Sequence, residues 1–134
     1  MIKSVSRSLR LVFLALWIPT VWGCGKPEPK LVPVSGVVMN GGRPIASATV
    51  LFAADISKKG ETLDAYAETD AQGKFTLFTA QRGKGATVGH YKVSVTSEAP
   101  NRLIPAKFNQ FGTSTLEVDV PETGTNDLKL DLSK

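Results

Sequence analysis

From Val32 onward, apolar and polar residues alternate with a period of two rather than 3.6, so the chain predicts short strands with one face turned inward. Val34 to Met39 opens the series and runs into Asn40-Gly41-Gly42, residues that tolerate the positive φ of a hairpin turn. Thr49 to Phe52 is rich in β-formers. Leu63, Ala65 and Ala67 then alternate with Asp64, Tyr66 and Glu68. Phe75 and Leu77 follow, interleaved with Lys74, Thr76 and Phe78. Tyr91, Val93 and Val95 alternate with His90, Lys92 and Ser94, Leu116 to Val120 repeats the pattern, and Leu128, Leu130 and Leu132 close it. No segment of useful length has a helical period. Seven short strands with closely spaced turns predict a single antiparallel β-sandwich over residues 32–134. The charged outward positions of the last strand suit an exposed edge.

The first 31 residues follow other rules. Lys3, Arg7 and Arg10 precede an uncharged run from Leu11 to Trp22, far short of the ~20 apolar residues that span a bilayer. Pro19 and Thr20 interrupt that run near its end, and Gly23 supplies a small residue at a cleavage point. A basic segment, a short apolar segment and a small residue make a secretory signal peptide over 1–23. Cys24, the only cysteine, follows directly. The prolines of 24–31 favour extended backbone, so that segment is a tether.

Removing the signal changes the composition. The chain carries 16 basic and 12 acidic residues, a net +4; loss of Lys3, Arg7 and Arg10 leaves 13 against 12, a net +1. A near-neutral domain lacks the basic patch that nucleic acid requires, so no nucleic-acid partner is expected. Both tryptophans, Trp17 and Trp22, leave with the signal. Their loss weighs against a carbohydrate-stacking face. The remaining ~110 residues suffice for one core, and a single cysteine permits no intrachain disulfide.

Two resemblances emerge from these residues. Val21-Trp22-Gly23-Cys24 resembles the lipobox of bacterial lipoproteins, in which the cysteine receives a diacylglycerol and cleavage occurs just before it. Trp22 departs from that pattern, where a small or modest apolar residue is usual. The competing readings are an uncleaved anchor and an ordinary signal followed by a free thiol. Further on, N-G-G-R-P-I-A-S-A-T-V-L-F, T-D-A-Q-G-K-F-T-L at 69–77 and G-H-Y-K-V-S-V at 89–95 resemble, in order and spacing, the motifs of carboxypeptidase regulatory-like domains. That resemblance implies a prealbumin-like (transthyretin-like) seven-stranded sandwich on the cell envelope, accessory rather than catalytic. Its implied partners are the membrane, through the lipid on Cys24, and another envelope protein or a polysaccharide. The same fold hosts hydroxyisourate hydrolases, which use more than one histidine and a characteristic C-terminal tetrapeptide. A single His90 and the ending LDLSK depart from both.

Candidate chemistry is sparse, and neither a catalytic residue, a metal ligand nor a cofactor is expected. His90 is the only histidine and falls on the outward side of its strand, where a solvated role is expected. A small enzyme or metal-dependent binder would have to combine His90 with Asp64, Glu68 and Asp70, since hard oxygen ligands suit calcium. Asp70, followed by Gly73, reads better as a turn former. The long connection 97–115 carries Arg102, Lys107, Phe108, Asn109, Gln110 and Phe111, a mixture of cation, amide and aromatic typical of contact surfaces. The competing reading is that Leu103, Ile104, Phe108 and Phe111 close one end of the sandwich.

Overall fold

The structure, a computed structural model, describes Gly23, Gly25 and residues 28–55, 57, 62–98 and 103–134. Val21, Trp22, Cys24 and Arg102 lie outside the described residues. The fold is almost entirely β, with sheets consistent with a β-sandwich. Its strands are β1 (Leu31–Val32), β2 (Val34–Asn40), β3 (Arg43–Pro44), β4 (Thr49–Ala54), β5 (Ala65–Glu68) and β6 (Lys74–Thr76). They continue as β7 (Phe78–Thr79), β8 (Gly83–Lys84), β9 (Ala86–Thr87), β10 (Gly89–Thr96), β11 (Glu117–Val120) and β12 (Thr125–Asp131). A 3-10 turn covers Ala106–Phe108.

One sheet has the order β11-β10-β4-β5-β7-β8; a second has β12-β2-β3, with β6 also paired to β2; β1 and β9 form a small third sheet. The inward residues of the two main sheets meet in one core. Val50, Phe52, Tyr91, Val93 and Val95 face Val34, Val38, Phe75 and Leu132. The Phe52 ring stands 5.6 Å from Tyr91 within its own sheet and 6.3 Å from Phe75 of the other, joining the layers. Full burial of a side chain of this size contributes about 1.5–3 kcal/mol.

Local sequence explains several elements. Gly41 and Gly42 adopt φ of 58° and 82°, giving the two-residue turn that joins β2 to β3. The Asp70 carboxylate accepts the backbone N–H groups of Gln72 and Lys74, both at 2.9 Å, and so closes the turn before β6. From Lys74 to Thr79 exposed and buried positions alternate without a break. Nevertheless this single run serves two sheets: β6 pairs with β2, β7 pairs with β5, and buried Leu77 makes the crossing. Such sheet-switching strands form the corners of sandwiches.

The structure corrects one expectation. Every pairing among the described strands is antiparallel except that β2 and β12 run parallel, with a register shift between Thr125 and Leu128. A parallel pair needs a long connection, and here nearly the whole domain supplies it. Gly36 permits the close approach, because a Cβ at this position would fall onto the Leu128 carbonyl. The seven alternating runs are further divided: Pro33 separates β1 from β2, and β3, β8 and β9 are two-residue strands in segments that read as turns.

Where β9 meets β10, Tyr91 donates to the Thr87 carbonyl four residues upstream at 2.8 Å. Its hydroxyl also lies 2.6 Å from Thr87 Oγ1, which accepts the Leu63 N–H at 2.9 Å. This is the tyrosine-corner arrangement of sandwich folds. Burial holds the Tyr91 phenol above its ordinary value of 10.0; hydrogen bonds from Thr87 oppose the shift and the Asp64 charge reinforces it.

Candidate functional site

β10 is flanked by β11 on one side and β4 on the other, so the outward side chains of three strands share one face. Register sets His90 opposite Asp119 and Lys92 opposite Glu117, two cross-strand pairs of opposite charge type. His90 Nδ1 lies 2.5 Å from Asp119 Oδ1, and Nε2 lies 3.9 Å from Glu117 Oε2. With Nδ1 protonated, the ring donates to Asp119 and presents Nε2 to Glu117.

The His90 side chain is only 14% exposed, although its strand position faces outward. Walls explain the shielding. Ala53, Ala54 and Asp55 from β4 and its exit, Lys92 and Glu117 from the neighbouring positions, and Phe111 from the long connection enclose a cleft of about 350 Å³ around it. The cleft therefore has an imidazole, charges of both signs and a phenyl wall. Its lining contains no hydroxyl or thiol nucleophile.

The carboxylates weighed with His90 in the sequence are engaged elsewhere. Asp64 accepts the Ala54 N–H at 2.8 Å, Asp70 closes its own turn, and Glu68 and Asp70 border a different hollow with Lys74 and Phe78. Among the described residues, no group of three or more His, Cys, Asp or Glu side chains is arranged to hold a metal ion. The partners that matter, Asp119 and Glu117, were visible only as the polar half of an alternating strand. Strand pairing, which periodicity does not encode, brought them to His90.

The long connection divides its residues between two tasks. Phe108 is fully buried and joins the core with Ile104, while Leu103 packs against it. Lys107 lies with its ammonium 4.8 Å from the centre of the Phe108 ring and donates to the Lys134 carbonyl oxygen at 2.5 Å. Asn40 Nδ2 donates to the Leu103 carbonyl at 2.6 Å, and Ser114 Oγ donates to the Val93 carbonyl, so the connection is pinned to β2 and β10. Asn109 and Gln110 remain exposed, and Phe111 turns to the His90 cleft.

The chain matches no protein-family model, no curated protein and no solved structure at a significant level.

Proposed function

We propose that this chain is an exported bacterial lipoprotein, cleaved after Gly23, carrying lipid on Cys24, and presenting a non-catalytic binding or structural domain at the cell envelope. The domain is of the carboxypeptidase regulatory-like, prealbumin-like kind that its three motifs resemble. The observation that carries the proposal is the position of the first strand among the described residues. β1 begins at Leu31, directly after the proline-containing segment, and its pairing of Leu31 with Thr87 and Val32 with Ala86 anchors the entering chain. A tether over 24–31 is compatible with a folded unit whose first described strand begins at Leu31. Glu28 adds an exposed ion pair at 3.5 Å to Arg82, a contact worth at most about 1 kcal/mol.

Among the described residues no helix is long and apolar enough to cross a membrane, so an anchor would have to come from elsewhere in the chain. The lipidated cysteine supplies one. Replacing Cys24 with Ala tests the proposal: the variant should leave the membrane fraction and appear in the soluble one. Unchanged membrane association would identify the 1–23 segment as an uncleaved anchor and overturn the lipobox reading.

A further inference from the structure

The outer face of the six-stranded sheet carries a feature unconnected with His90. Register places Lys84, Phe78, Tyr66 and Leu51 side by side on four adjacent strands, β8, β7, β5 and β4. Tyr66 is 48% exposed and Phe78 is 38% exposed, whereas their chain neighbours Ala65, Ala67, Leu77 and Thr79 are buried. Neither ring takes part in the aromatic contacts that join the core, Phe52 with Phe75 and Phe52 with Tyr91. Adjacent strands lie about 4.8 Å apart, so the two side chains rise from the sheet at roughly the spacing of one pyranose ring.

Polar groups border Phe78 on the side toward β6. A hollow of about 470 Å³ runs from Phe78 past Glu68, Asp70, Lys74 and Thr76. A second, of about 670 Å³, lies across β6 and reaches Ser35, Asn126, Asp127 and Lys129. The two share Lys74, Phe75 and Thr76, so they form neighbouring parts of one open surface. The nearer hollow sets a hydroxyl, two carboxylates and an ammonium group beside the Phe78 ring, and the farther one extends that mixture of donors and acceptors across β6.

We infer that Tyr66 and Phe78 form a stacking platform for an oligosaccharide of hydroxylated pyranose rings. The polar surface along β6 would take hydrogen bonds from that ligand's hydroxyls. Three considerations favour this ligand over a protein. Two rings amid charged side chains fall well short of the roughly 800 Å² per partner of a standard protein interface. Lysine, present here as Lys74, Lys84 and Lys129, is depleted at protein interfaces. The C–H face of a pyranose matches a half-exposed aromatic ring, and its rim of hydroxyls matches the mixed donors and acceptors. The inference deepens the proposed envelope function by naming the class of partner, and it rests on that reading only for the ligand's location.

The test is isothermal titration calorimetry of the purified full-length chain, in a detergent without a sugar headgroup, against cellohexaose, maltohexaose and chitohexaose. Saturable binding to at least one is expected. Tyr66→Ala and Phe78→Ala should each weaken it at least tenfold, while Tyr66→Trp should retain it. No binding to any of the three overturns the inference, as does binding that Tyr66→Ala leaves unchanged. A dimer that Tyr66→Ala dissolves, with no effect on sugar, would also overturn it and make this face a contact between copies. Running the same titration on Cys24→Ala separates the two proposals. Sugar binding with persistent membrane association removes only the lipid anchor, and soluble protein without sugar binding removes only the platform.

Discussion

Tyr91→Phe isolates the tyrosine corner, because it deletes one oxygen and leaves the ring against Phe52. In the native chain the Leu63 N–H occupies Thr87 Oγ1 as an acceptor, so the Thr87 hydroxyl proton is free for Tyr91, whose own proton goes to the Thr87 carbonyl. Thr87 is 1% exposed, so water cannot replace the lost group. A typical hydrogen bond contributes about 0.5–1.5 kcal/mol net, and stranding a buried partner costs about 1–3 kcal/mol. A loss of about 2 kcal/mol is therefore expected, lowering the melting temperature by roughly 8–16 °C for a domain of this size. Urea unfolding followed by far-ultraviolet circular dichroism measures it, with the denaturant slope unchanged if only stability is affected. A double-mutant cycle with Thr87→Val should give a coupling above about 0.5 kcal/mol, since the two hydroxyls touch. A Tyr91→Phe loss below about 0.5 kcal/mol, within the range of ordinary surface substitutions, would refute the reasoning.

Three further outcomes follow from the same geometry. Because the folded state holds the Tyr91 proton more tightly than the unfolded chain, its contribution to stability is complete below pH ~10 and is lost as pH rises through the folded value. In a Tyr66→Phe background, with Tyr91 the only tyrosine left, phenolate absorbance should appear only above pH ~10 and together with unfolding; reversible ionisation of the intact fold at pH ~10 would contradict this. Gly36→Ala should cost about 1–3 kcal/mol by driving a methyl group into the Leu128 carbonyl, with amide exchange in β12 accelerated more than in β10. Phe108→Ala should cost about 3–5 kcal/mol in urea unfolding because its ring is fully buried, whereas Asp119→Asn, on an 83% exposed carboxylate, should cost less than about 1 kcal/mol and less still in high salt.

Much of the architecture was legible because strand alternation is a local property. The inward positions of Tyr91, Val93 and Val95, the Gly41-Gly42 turn and the Asp70 turn depend on neighbours within a few residues, and all are readable in order along the chain. What is not local was not legible. Lys74 to Phe78 reads as one strand, since changing sheets at Leu77 leaves the alternation intact. The parallel course of β12 beside β2 depends on the path of the intervening chain. His90 reads as a solvated residue because its shielding comes from β4, β11 and Phe111, three separate stretches. Tyr66 and Phe78 are each outward in the pattern, but only register makes them neighbours. The absence of tryptophan from residues 32–134 weighed against a stacking surface, yet the structure sets two smaller rings side by side.

The parallel pairing of β2 and β12 also bears on how the domain would carry load. If Cys24 is fixed to a membrane and a pull is applied near Lys134, β2 is drawn toward its N-terminal end and β12 toward its C-terminal end. The short β1 would peel away first, leaving the parallel pair to be sheared along its length. In shear the inter-strand hydrogen bonds resist together, whereas an antiparallel hairpin pulled at its open end fails one bond at a time. The first long strand and the last thus form a lengthwise clamp, suited to a module held at one end.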